Sequence, residues 1–588
     1  MARMGRAWQT HVAAPQPAYR FAAASASPCL CPSCIQAVRF RCAQHWRPSP
    51  VMRVPRLLRS ASRSPDLSGS LRSPLHSPPS GRVMSNVARA CCAALALAMV
   101  VSSPVEAKPL KHAKMPRIPA SAARATPLPP ELARALAASK VPAAHVSVIV
   151  AKVDNPLQTR GRIGPPLLAV NANVPRNPAS TMKLVTTIAA LDTLGPDYRW
   201  RTQAFTDGTS DGRTLNGNLY FKGSGDPKLV PEEMEKFVAE LHHAGVTNIN
   251  GDIVLDRSAY SADIGDTGAI DGGDDRPYNV APDPLLYSFK AVSFSFTGNP
   301  NGTVEVGVLP PLANLQVANN LSSTGSGHCG DWLARIHPTL NAMADGSYVA
   351  HFSGTYPASC EDKGWNVAAP DRDQFFLGGF RALWQASGGQ FNGNVRTGVV
   401  PPGAHLLVTH RGQTLAEVVH DMNKFSNNVM ARQLFLTLGL AADNNRTPAS
   451  LTRSRDVLNR WLDKNDLAMP GLVVENGSGL SRIERISATE LASLLQHGIN
   501  SPTAQVLIES MPTVGVDGTM RNRLMNRDVA GNAHIKTGTL DDVGAVAGYV
   551  GSRSGNIYVV VSLVNDPRAS QARGFNDALI SWVYENAP

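Results

Sequence analysis

The sequence predicts an α/β (α+β) fold, in which an antiparallel sheet is flanked by helices from both ends of the chain and a large β-rich block is inserted between them. Three observations predict it. Near the C-terminus three apolar runs, His534–Gly538, Ala545–Gly551 and Ile557–Val564, are joined by short polar turns and followed by a helical stretch, Gln571–Glu585. Towards the other end, a helix over Pro129–Ser139 precedes two strand-like runs, Ala144–Val153 and Leu167–Val174. In between, from Thr206 to Asp373, short alternating runs are broken by Asn-Gly pairs beginning at 216, 250 and 301, which are hairpin signals.

The remaining elements follow in order. Pro178 in a first-turn position and Gly195 as a stop bracket a helix whose core face carries Met182, Val185, Ala189 and Leu191. Helical texture returns at Phe376–Ala386, runs through Leu415–Leu440 and recurs at Ala449–Leu462. A further helix over Ser487–His497 has Ser487 and Glu490 spaced as a capping box. A chain of 588 residues exceeds what one core usually accommodates. The expected division is a catalytic domain of residues 120–205 plus 374–588, interrupted by one or two small β-rich domains over 206–373.

Charge divides the chain differently. The formal net charge is +11, yet residues 1–107 hold thirteen Arg and only Asp66 and Glu106 as acids, so the rest is balanced. Without a net positive charge to displace counterions from phosphates, a nucleic-acid partner is not expected. Residues 1–83, rich in Arg, Ser, Pro and Ala, read as a disordered or mis-annotated extension. Residues 84–107 have the layout of a secretory signal, with a basic start, an apolar run Ala90–Val101 and small residues at the last and third-last positions before a cut expected after Ala107. That run is too short to span a bilayer, so a secreted, periplasmic protein without a transmembrane anchor is expected after cleavage. Cys29, Cys31, Cys34, Cys42 and His45 match no zinc spacing, and no metal is expected. Beyond the cut only Cys329 and Cys360 remain. In an oxidising compartment they suit a disulfide, though spacing alone does not establish it.

Three short motifs carry the chemistry: Ser180-Thr-Met-Lys183, Ser426-Asn-Asn428 and Lys536-Thr537-Gly538. Residues three apart on a helix share a face, so Lys183 can take the proton that makes the Ser180 hydroxyl a nucleophile. Burial and a neighbouring cation, supplied by Lys536, would lower the lysine's pKa to suit that task. Ser426 would relay a proton to the leaving amine, and Asn428 would hold a substrate amide. Lys536, with the hydroxyls of Thr537 and Thr539, would meet a substrate carboxylate. Each motif alone is common; their combination in this order is not.

With these motifs the chain resembles the penicillin-binding D-alanyl-D-alanine carboxypeptidase and endopeptidase family, low-molecular-mass class C, or peptidase family S13. Gly223-Ser-Gly-Asp226-Pro227, Glu475-Asn-Gly-Ser-Gly-Leu-Ser-Arg482, Gly515-Val-Asp-Gly-Thr519 and Lys536-Thr-Gly-Thr-Leu540 running into Ala547-Gly-Tyr549 extend the likeness. The resemblance implies a serine β-lactamase/DD-peptidase-like transpeptidase fold with a long insertion between Ser180 and Ser426. It implies an acyl-enzyme mechanism on peptidoglycan peptides, hydrolysis of D-Ala-D-Ala ends or of cross-links, inhibition by β-lactams, and no cofactor. Arg482 and Asp275, with Thr537, Gly538 and Thr539, fall where the family has substrate-binding groups. The wording departs at Glu475-Asn476, where Asp-Gly is commoner, and at Asp541-Asp542. The rival expectations are a serine β-lactamase, which needs an additional base for deacylation, and a catalytically silent wall-synthesis scaffold.

Overall fold

The computed structural model describes residues 127–588 apart from 155–162, 265–269 and 326. The expected extension over 1–83 and secretory signal over 84–107 lie outside these residues. The three C-terminal apolar runs form strands Ala533–Leu540, Val543–Gly551 and Ile557–Asn565, each antiparallel to the next. Val146–Lys152 then pairs antiparallel with the last of them, with Val148 opposite Ser562, and Leu168–Val170 closes the far edge. Ala533–Leu540 is therefore an edge strand of a five-stranded sheet.

Both faces of this sheet are apolar because both are covered. Val559, Val561 and Leu563 join a core with Val185, Ile188 and Leu434 from the helices Lys183–Leu194 and Asn428–Ala441. The alternate residues Tyr558, Val560 and Val564 pack against Leu132 and Leu136 of Pro130–Ala138 and against Phe575, Leu579 and Val583 of Arg573–Asn586. Each such side chain, fully buried, contributes roughly 1.5–3 kcal/mol. The capping box at Ser487 is formed: its Oγ accepts from the Glu490 N–H, and the Glu490 carboxylate accepts from the Ser487 N–H.

The inserted block is wider than 206–373. Its five-stranded sheet runs Val395–Thr397, Ile253–Asp256, Leu219–Gly223, Arg199–Thr206, His405–Thr414. The two strands that carry the chain in and out, Arg199–Thr206 and His405–Thr414, pair antiparallel with each other. Helices also belong to it. Phe237 of Pro231–His243 and Phe376, Phe380 and Trp384 of Arg372–Ala386 share one aromatic core with Phe221, Phe294 and Phe352. Sequence texture misassigned the second helix because a core is a property of contacts, and a boundary drawn on periodicity cannot see which core a helix joins. A four-stranded sheet of short strands, two three-stranded sheets and a disulfide between Cys329 and Cys360 complete the block.

The expected helical run Leu415–Leu440 is two helices, Leu415–Lys424 and Asn428–Ala441. Ser426 at φ +58 turns the chain between them, and the Asn427 side chain caps the second by accepting from the Met430 N–H at 3.0 Å. Asn and Ser at a break of this kind satisfy backbone groups that the helix interior would otherwise bond.

Candidate active site

Ser180 sits in the 3₁₀ turn Ala179–Met182, which feeds directly into Lys183–Leu194. Ala179 is held at φ +44, so the chain is bent immediately before the serine. Two glycines allow the neighbouring backbone to close on this bend. A Cβ on Gly538 would lie 2.6 Å from the Pro178 oxygen and 2.9 Å from the Ser180 nitrogen, and one on Gly479 would lie 1.9 Å from the Ala179 oxygen. Gly538 thus places the edge strand, and Gly479 the Glu475–Arg482 loop, in direct contact with the nucleophile turn.

Lys183 is fully buried. Its Nζ lies 2.9 Å from Ser180 Oγ, 2.7 Å from Asn428 Oδ1 and 2.5 Å from the Ser478 carbonyl. Burial drives its pKa well below the ordinary lysine value, the charges of Lys536 and Arg432 add to that, and Glu484 opposes them. A neutral amine has two N–H donors and one lone pair. Once deprotonated, an amine that donates to Asn428 Oδ1 and the Ser478 carbonyl would keep that lone pair to accept from the Ser180 hydroxyl.

Lys536 is also fully buried, where burial pushes its pKa down to about 7. It donates to Ser426 Oγ at 2.8 Å and to the Thr537 carbonyl at 2.8 Å. The motif side chains therefore gather around two lysines, Ser180 and Asn428 at Lys183 and Ser426 at Lys536. Lys536 does not present its ammonium at the surface of the edge strand. The outward groups there are the hydroxyls of Thr537, 2.8 Å from Thr519 Oγ1, and of the exposed Thr539. Thr519 is held by its loop: Lys424 binds Asp517 at 2.7 Å and the Met511 carbonyl at 2.7 Å.

Sequence reading missed the supporting groups. The Ser478 carbonyl is brought to Lys183 by a loop whose N–H groups at Glu475, Asn476 and Gly477 all donate to one oxygen of the buried Glu484. The Gly477-Ser-Gly479 triplet was a signal for close approach, but nothing in it marked Glu484 as the anchor. Arg482 is half-exposed and pairs with Asp541 at 3.4 Å and Asp542 at 3.2 Å, across the rim. Asp275 is exposed; its carbonyl accepts from the Ala368 N–H, and among the described residues its carboxylate has no hydrogen bond or ion pair to the motif residues. Among the described residues no cluster of His, Cys, Asp or Glu is arranged to hold a metal ion.

The sequence model of the D-Ala-D-Ala carboxypeptidase 3 (S13) family matches residues 130–585. The chain belongs to this family. It is accordingly a serine-type peptidase of the D-Ala-D-Ala carboxypeptidase class. It is similar to the D-alanyl-D-alanine carboxypeptidase DacB of Haemophilus influenzae, 26% identical over 66% of this chain and 80% of the relative. An Actinomadura D-alanyl-D-alanine carboxypeptidase is 27% identical over 67% of this chain and 74% of its own. The crystal structure of penicillin binding protein 4 from Haemophilus influenzae has the same fold, with a TM-score of 0.61 at 24% identity over 76% of this chain and 99% of that one.

Proposed function

We propose that this peptidase is periplasmic and cleaves peptidoglycan stem peptides and cross-links through an acyl-enzyme on Ser180. The observation that carries this reading is the fully buried Lys183 amine, held 2.9 Å from Ser180 Oγ with its pKa driven well below the ordinary lysine value by burial. In acylation the Ser180 oxygen bonds to the scissile carbonyl carbon while its proton passes to Lys183. The N–H of Ser180, at the start of the helix and against the Gly538 backbone, suits stabilisation of the developing oxyanion. The C–N bond then breaks, and Ser426, hydrogen-bonded to Lys536, is positioned to pass a proton to the leaving amine. Water hydrolyses the ester by the reverse proton route. An extended peptide end laid along the free edge of Ala533–Leu540 brings its carboxylate to the Thr537, Thr519 and Ser426 hydroxyls. Residues outside the β-rich block are assigned to the catalytic domain on the same reasoning.

The Haemophilus penicillin binding protein 4 has also been crystallised with a β-lactam, and a β-lactam amide is a natural probe of this serine. Incubation with benzylpenicillin followed by intact-mass and peptide mapping is expected to show one long-lived adduct, on Ser180. An adduct elsewhere, or none, overturns the mechanism, and rapid penicillin turnover would favour a β-lactamase instead.

A further inference from the structure

A cavity of about 510 Å³ lies between the five-stranded sheet of the insertion and the chain leaving the helix Asn428–Ala441. Arg201, Lys222 and Arg446 line it with Gln203, Ser224 and Ser258, and its lining contains no acidic residue. The sheet aims these cations. Arg201 and Gln203 alternate with the buried Thr202 and Ala204, so they share the outer face. Strand pairing sets Lys222 opposite Gln203, and it sets Arg411 directly opposite Arg201. Residues opposite each other on an antiparallel pair lie on one face, and like charges there repel.

Little among the described residues offsets that repulsion. Asp256 approaches Lys222 at 3.6 Å, but its two oxygens already accept from the N–H groups of Ser258 and Val400. Asp443, just before Asn444 at the pocket, is held by Arg453 at 2.8 Å. Arg201, Arg411 and Arg446 have no ion pair among the described residues. Arg201, Lys222 and Arg446 line the cavity, with Arg411 paired opposite Arg201 on the same sheet, and an anion among them would turn their mutual repulsion into attraction.

We propose that this pocket is a binding site for a ligand carrying two or more carboxylate or phosphate groups. Two guanidinium forks supply bidentate donors, and the Ser224 hydroxyl, whose oxygen accepts from the backbone N–H of Arg201 at 2.8 Å, keeps its own proton to donate. The site lies at the opposite end of the 14-residue helix from Asn428, so it is separated from the lysine–serine centre by roughly 20 Å at 1.5 Å per residue. It is a second site, and it does not rest on the peptidase reading. The same chemistry has two sources: a free phosphorylated small molecule, or the carboxylate-bearing peptides of a wall polymer.

The test is calorimetric titration of the full chain with inorganic pyrophosphate and, separately, with a soluble glutamate-containing stem peptide. Wild type is expected to bind pyrophosphate at one site, weakening as salt rises. The Arg201→Gln, Arg446→Gln double variant is expected to bind it at least tenfold more weakly, with penicillin acylation unchanged and the melting temperature held or raised. The same tenfold dependence for the peptide identifies wall peptides as the source, whereas dependence for pyrophosphate alone identifies a phosphorylated small molecule. Equal binding by wild type and variant, or no binding of either anion to wild type, overturns the proposal.

Discussion

Replacing Lys183 with Met separates catalysis from folding at one position. The amine lies 2.9 Å from Ser180 Oγ and is the only base in contact with it among the described residues. A positioned general base contributes about 10²–10⁴-fold, or ~3–5 kcal/mol of barrier at 1.36 kcal/mol per tenfold. Lys183→Met is therefore expected to slow acylation by at least a hundredfold. Stability moves much less. Asn428 Oδ1 and the Ser478 carbonyl each lose a donor, at about 1–3 kcal/mol apiece, but the variant no longer desolvates an amine and keeps nearly the same volume. These opposing effects leave a net change within about 2 kcal/mol. Fluorescent-penicillin labelling followed by rapid quench, with calorimetric melting on the same samples, measures both. An acylation rate within a fewfold of wild type in a folded Lys183→Met variant would refute the assignment of Lys183 as base.

Gly538→Ala pushes a methyl to within 2.6 Å of the Pro178 oxygen and 2.9 Å of the Ser180 nitrogen, so penicillin acylation is expected to fall about a hundredfold through misplacement of the serine, with circular dichroism unchanged. The acylation rate is expected to rise with pH as Lys183 loses its proton, and Lys183's lowered pKa puts that rise below the ordinary lysine range. Stability should carry a related signature: between about 7, where burial holds folded Lys536, and the unfolded value of 10.5, only the unfolded state keeps the proton. Stability therefore increases with pH across that window, by at most ~1.4 kcal/mol per pH unit for this group; Lys536→Met should flatten the slope in denaturant titrations at successive pH values. Replacing Cys329 and Cys360 with Ala opens a loop of sequence separation 31 and is expected to cost about 3–4 kcal/mol, read as an earlier melt with penicillin labelling of the remaining folded protein intact.

What the amino-acid sequence determined by itself is chiefly local. The runs that became the strands Ala533–Leu540, Val543–Gly551 and Ile557–Asn565 were legible because short apolar runs between turn residues suit a sheet buried on both faces. Ser180 and Lys183 were legible as a pair because a helix makes neighbours of residues three apart. The capping box at Ser487 followed from the same local logic.

Contacts made over long sequence distances were decided only by the tertiary structure. Nothing in Lys536-Thr537-Gly538 tells whether the ammonium faces solvent or is enclosed; packing encloses it against Ser426, 110 positions earlier, and so lowers its pKa. The carbonyl that occupies one donor of Lys183 comes from Ser478, 295 positions away, on a loop that a single buried carboxylate, Glu484, holds in shape. The helix Arg372–Ala386 reads as a helix in any context, yet only its aromatic partners assign it to the insertion. Periodicity and spacing report torsional preference and which face of an element is apolar. Desolvation, and with it the charge state of both lysines, depends on everything packed around them.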